Sequence, residues 1–280
     1  MLSTSYSFRN TSGSLRSREP LTDDQIRRVA PSVFAAQAHE SRSSRYAYIP
    51  TIEVIDGLRQ EGFMPYSIAQ GQTKVEGKQD YTKHMLRFRH AGQLGDRQVG
   101  DSFHEIILIN SHDGTSSYQM IPGLFRLVCT NGLITGEQYE DFRVRHSGNP
   151  IEKVIEGAYR ILDNIEQIDH SRELMQSIEL RPEHQRIFAK AALQLRWDGE
   201  EEHAPIESDQ LLSTRRSADR GSDLWKTFNR TQENLIKGGL SGINAKGGRT
   251  TTREVKGIYE NVKLNRALWT LAEEMAKLAA

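Results

Sequence analysis

His104, His112 and Asp113 fall in one ten-residue stretch. Imidazole with carboxylate is a common donor set for a metal ion and for metal-assisted hydrolysis. His84, His90 and His146 are further imidazoles that could join them. On strand parity, His104, Asn110 and His112 share one face, and His84 and His90 share another. No His-Glu-x-x-His spacing occurs, however. The run Ser111-His-Asp-Gly-Thr115 also reads as a turn in which Asp113 bonds its own backbone and Gly114 takes a positive φ. The turn explains the pattern better than a metal does, so no cofactor is called for. Cys129 is the one cysteine and lies in an apolar run, which makes it a core residue and not a nucleophile. With no secretion signal in view, a lone thiol points to the cytoplasm.

Cations give a second candidate chemistry, the binding of phosphate. The 280-residue chain balances 37 Lys+Arg against 37 Asp+Glu, which argues against a uniformly basic coat. Between positions 213 and 269, though, twelve basic residues face five acids, a local excess of +7. Within that stretch, residues 237–253 carry five glycines among Lys246, Arg249 and Arg253, with Lys256 just beyond. Glycine lets backbone approach a ligand closely, and N–H groups in such turns can point at anions. No Gly-Lys-Ser/Thr completes a Walker A loop. Alternation along residues 83–90 puts Leu86 and Phe88 on one face and Lys83, Met85, Arg87 and Arg89 on the other. Phe142 and Val144 against Arg143 and Arg145 repeat the pattern. If these segments share a sheet, its outer face carries Lys83, Arg87, Arg89, Arg143 and Arg145 with few acids beside them. Arg126 joins this set as a nucleic-acid candidate.

Behind these residues stands a change of period. Residues 52–61 predict a helix stopped by Gly62, and residues 64–70, 83–90, 103–110 and 115–120 predict strands. The last two form a hairpin across the 111–114 turn. Pro122 opens a short helix over 123–130, and 140–146 returns as a strand. After Pro150, apolar residues recur at three- and four-residue steps from Ile151 to Ile168, a long amphipathic helix. Further helices are expected around 187–195, over 224–237 with Ser222 as N-cap, and through 264–278. Trp225, Phe228 and Trp269 fall at helical spacing and read as packing. Residues 198–209, with six acids and no base, read as an exposed connection. The expected fold is α+β: a mainly antiparallel sheet with a β-hairpin, followed by a helical half. Residues 1–25, Ser/Arg-rich at their start, are expected to be a disordered tail. Residues 26–150 form the sheet domain, and 151–280 the helical region, packed on the sheet as one unit. No apolar run is long enough to span a membrane.

Residues 110–133, 142–148, 83–89 and 261–269 together resemble the phage- and plasmid-associated family known as domain of unknown function 932. The resemblance covers most of the chain after about residue 25. It implies a mobile-element setting, in conjugative plasmids and prophages, and carries no secure activity. The leading expectation is a DNA-binding protein, with single-stranded DNA favoured. It would act in annealing or recombination, form homo-oligomers and need no catalysis. An anti-defence protein that binds a host protein complex is one alternative. A metal-dependent nuclease built on His112 and Asp113 is another.

Overall fold

The computed structural model describes residues 13–40, 48, 50–93, 102–126, 132–135, 142–144, 150–197 and 204–279. The fold is α+β. A mainly antiparallel sheet has the hydrogen-bonded order β1 (Ser14–Arg16), β2 (Phe63–Gln70), β3 (His84–His90), β4 (Ser102–Asn110), β5 (Tyr118–Arg126), β6 (Gly132–Ile134), and β7 (Phe142–Val144) pairs with β5. The chain divides into two compact units.

The first unit comprises the described residues within 1–97, 103–123 and 140–163. Besides most of the sheet it holds α1 (Asp23–Val29), α2 (Thr51–Gln60) and α3 (Pro150–Asp163). Leu86 and Phe88 of β3 lie opposite Leu108 and Ile106 of β4, so four apolar side chains point to one face. Against them pack Ile26 of α1, Val54, Ile55 and Leu58 of α2, and Val154, Ala158 and Ile161 of α3. Each larger member contributes about 1.5–3 kcal/mol on leaving water.

The second unit comprises the described residues within 98–102, 124–139 and 164–280. It is built from α4 (Ile165–Ser177), α5 (Pro182–Arg196), α6 (Leu224–Lys237) and α7 (Ile258–Ala279), with a two-stranded hairpin of β8 (Ser241–Ile243) and β9 (Arg249–Thr251). Phe188, Phe228 and Trp269 are fully buried in its core. Trp225 stacks on Phe228 at 5.6 Å and meets Trp269 edge-on at 6.2 Å, the packing role their spacing predicts. Every residue of helix α6 from Leu224 to Ile236 except Lys226 is buried. Several of its polar residues are bonded inside: Glu233 to Arg216 and Lys237, Asn234 to the carbonyls of Leu211 and Ser213.

Several expectations need correction. Residues 14–16 form a strand on β2, and Thr22 with Gln25 makes a capping box for α1, so the ordered chain begins before residue 25. Pro122 opens no helix over the described residues 123–126. β5 runs through it to Arg126, because Ile121, Leu124 and Phe125 are buried strand residues and their burial outweighs the Pro start signal. The helix expected over 151–168 breaks at Asn164 into α3 and α4. The N-cap of α6 is Asp223, whose carboxylate accepts from Lys226 N at 2.8 Å, and Ser222 instead donates to Glu179. A boundary at residue 150 is also displaced, since α3 belongs to the first unit and residues 124–126 to the second.

Candidate nucleic-acid interface

The parity argument holds on β3, but solvent does not reach the cationic face. Arg87 is 2% and Arg89 4% exposed. One step past the Phe88–Ile106 pair on β4 stands Glu105, itself buried, and it takes both guanidinium groups. Arg87 NH1 lies 3.1 Å from Oε2, and Arg89 NH2 lies 2.9 Å from Oε1. The Arg89 guanidinium is also sandwiched between the rings of Tyr66 at 4.5 Å and Phe103 at 4.7 Å. Arg126 is likewise buried, pairing with Asp219 at 2.8 Å over the face of Trp225. These three arginines are structural ions, a correction to their expected place on an outer binding face. Lys83 is half-exposed and Arg143 exposed, both in the first unit. Arg145 lies outside the described residues, as do His146 and Cys129.

The histidine candidates turn inward as well. His84 and His112 are fully buried, in a clasp that ties α2 to β3 and the β4–β5 turn. Ser32 Oγ donates to Gln70 Oε1 at 2.9 Å, which leaves its oxygen to accept from His84 Nδ1 at 2.8 Å. His84 Nε2 then accepts from Thr51 Oγ1 at 2.9 Å. The Thr51 oxygen in turn accepts from Asn110 Nδ2 and from His112 Nε2, each at 3.0 Å. This assignment follows from one proton per hydroxyl. Ser32, Thr51, His84, Asn110 and His112 all have zero exposure, so no substrate reaches them. Asp113 takes the turn role its sequence suggests: its Oδ1 accepts from Thr115 N at 3.0 Å and Thr115 Oγ1 at 2.6 Å, and Gly114 has φ +78°. Burial pushes its carboxyl up, but the bonds from Thr115, Ser111 and Lys78 outweigh that and hold it below its usual range. His104 stands buried on β4. Among the described residues no three His, Cys, Asp or Glu side chains gather as metal ligands, so His104, His112 and Asp113 do not form the metal centre considered above.

Burial, with the neighbouring His112 adding to it, pushes the His84 imidazole down to about 3. The unfolded chain therefore binds a proton at pH 5 that the native chain refuses. His84's contribution to stability is complete above about pH 6.5 and falls by up to about 1.4 kcal/mol per pH unit below it. Between pH 7.5 and 5.0 we expect a loss of about 2 kcal/mol from this group, measured by urea denaturation. The loss should shrink by that amount in His84→Gln; an equal loss in both proteins would disprove the assignment.

Besides Arg143, four of the expected cations are exposed, and the β8–β9 hairpin with the segment just after it presents them. Helix α6 ends at Gly238, where φ is +63° and a Cβ would sit 2.6 Å from the backbone of Thr252 and Arg253. Only glycine lets the chain turn there so close to its own return. Gly239 N then donates to Thr252 O at 2.7 Å, and Thr252 N to Leu240 O at 2.9 Å. Ser241 pairs with Thr251, Gly242 with Thr250 and Ile243 with Arg249. Alternation turns Ser241, Ile243, Arg249 and Thr251 outward, all exposed, and turns Gly242 and Thr250 inward. The hairpin is fixed from below, with Ile243 N donating to Pro205 O at 2.8 Å and Gln210 Nε2 to Ser241 O at 2.9 Å.

Lys246, Arg249, Arg253 and Lys256 are exposed, and no carboxylate lies within ion-pair distance of any of them among the described residues. The glycine amides of the turn are already bonded within it, contrary to the expectation from the glycines. Asn244 Oδ1 accepts from Lys246 N at 2.9 Å and Gly248 N at 3.0 Å, and Gly247 N donates to Asn244 O. From 237 to 263 six basic residues face two acids, a net charge of +4. A Cβ at position 242 would lie 1.8 Å from Pro205 O. Gly242→Ala should therefore lift the hairpin from its seat while sparing the helical core. Protease cleavage near residue 245, faster than in the wild type with the global urea midpoint nearly unchanged, would show this; cleavage at the wild-type rate would contradict it.

Comparison with known proteins adds family and no activity. The family model described as Domain of unknown function (DUF932) matches residues 38–269. Two proteins of Escherichia coli strain K12, UPF0380 protein YafZ and UPF0380 protein YfjQ, are each 53% identical over 261 residues, 93% of this chain and 93% of theirs. No solved structure matches. Among the described residues no helix is long and apolar enough to cross a membrane. A match across more than four-fifths of its length, with β2 to β9 and α2 to α6 inside it, places the chain in the DUF932 family.

Proposed function

We propose that this protein binds single-stranded DNA through its sugar–phosphate backbone, using the β8–β9 hairpin and the segment after it as the contact surface. The observation that carries this reading is the set of four exposed cations, Lys246, Arg249, Arg253 and Lys256, gathered within eleven residues and left without carboxylate partners among the described residues, whereas the buried Arg87, Arg89 and Arg126 are each paired. Unpaired surface cations neutralise phosphates and release counterions, which gives affinity without sequence preference. Two exposed apolar side chains in the same stretch, Ile243 and Tyr259, favour a strand whose bases are open over a closed duplex. Annealing or recombination in a mobile element is the finer role this binding would serve.

The direct test is fluorescence anisotropy of a labelled 20-nucleotide oligothymidylate titrated with the protein at several salt concentrations. Four phosphate contacts predict a log–log salt slope of about −3 for a single strand. Absence of binding at low salt, or affinity indifferent to salt, would overturn the reading.

A further inference from the structure

Tyr259 and Ile243 remain unexplained by phosphate contact alone. Tyr259 is 70% exposed, the most exposed aromatic side chain among the described residues, and Ile243 is 62% exposed. Neither belongs to the core of the second unit, whereas Ile258, adjacent to Tyr259, is buried. Ile243 stands directly opposite Arg249 on the outward face of the hairpin. Tyr259 follows Lys256 by three residues and Arg253 by six, within about 20 Å of chain. An exposed aromatic ring flanked by free cations is the arrangement with which single-strand binders hold a base while charges hold the adjoining phosphates. A lone apolar residue on a surface calls for no explanation; an aromatic and a branched side chain inside the one basic stretch do.

We infer that Tyr259 is a stacking platform for a nucleobase, with Ile243 as a second apolar contact. Because the inference rests on the single-strand reading above, its test must separate bases from phosphates. The tyrosine ring would lie against the flat face of a base. The interaction is sequence-tolerant, because every base offers such a face, and it is denied to paired bases stacked inside a duplex. Tyr259 thereby becomes the residue that discriminates single from double strands, while the four cations bind both.

The experiment compares wild type, Tyr259→Ala and Tyr259→Phe on three probes: a 20-nucleotide oligothymidylate, an abasic phosphodiester strand of equal length, and a 20-base-pair duplex. Tyr259→Ala is expected to weaken oligothymidylate binding about 5- to 100-fold, with the salt slope unchanged. Tyr259→Phe keeps the ring and should stay within about twofold of wild type. Affinity for the abasic strand and for the duplex should not change in either variant. Equal losses on the oligothymidylate and abasic probes, or oligothymidylate affinity unaltered in Tyr259→Ala, would overturn the stacking role while leaving the phosphate reading intact. Failure of the wild type to bind any of the three would instead remove the phosphate reading itself. Tyr259 is exposed, so thermal denaturation should show all three proteins equally folded.

Discussion

Glu105→Gln is expected to cost about 3–5 kcal/mol of folding stability, because it takes the counter-charge from two buried guanidinium groups at once. The isostere keeps the shape of the carboxylate and can still accept hydrogen bonds. What it lacks is the negative charge that Arg87 and Arg89 approach at 3.1 and 2.9 Å inside the sheet. A fall in the urea midpoint with little change in its slope would show the loss. A change under 1 kcal/mol would mean that water or another acid already shares the charge. The same geometry sets the expectation for the arginines. Arg89→Ala should reduce stability and leave the DNA affinity of the folded fraction alone. Lost affinity with unchanged stability would return Arg89 to the surface.

Neutralising the hairpin should do the reverse. The combined replacement of Lys246, Arg249, Arg253 and Lys256 by Ala is expected to leave the core untouched, since none of the four side chains enters it. Each phosphate contact to a single strand carries about 0.7 of log–log salt slope. Four contacts therefore account for a slope of about 3, and for an affinity loss of about 10²- to 10³-fold near 0.1 M salt. Arg249→Ala with Arg253→Ala alone should remove about half of that slope. An unaltered slope in the double variant would make the hairpin a spectator.

How much of this was legible in the sequence follows from the distances over which the relevant signals act. Alternation on residues 83–90 and 103–110, and the three- and four-residue steps of the helices, are local, and they predicted β3, β4, α2, α5, α6 and α7 closely. Strand parity also placed Arg87 and Arg89 on a common face. It could not say that this face is buried, because burial depends on what covers it. Glu105 offered a signal: an acid immediately before the apolar run 106–109, one strand away, on the parity of the two arginines. Ser32 and Thr51, partners of His84 from 52 and 33 residues away, offered none. The turn role of Asp113 was readable because its bonds reach only two residues. The basic glycine-rich loop was recognised by composition, but its two strands were not, and its amides were credited with binding an anion when Asn244 takes two of them. Pro122 misled, since a proline that can start a helix can also sit inside a strand whose apolar neighbours must be buried.

The exposed hairpin cations and their supposed phosphate partners stand or fall on one titration. A labelled 20-nucleotide oligothymidylate is followed by anisotropy against the wild type and the fourfold hairpin variant, at 50 and 200 mM salt. The wild type should bind at the lower salt and weaken about 60-fold between the two, and the variant should bind far more weakly at both, with most of the salt dependence gone. A variant that binds as tightly and as salt-sensitively as the wild type, with its fold intact, would contradict the account.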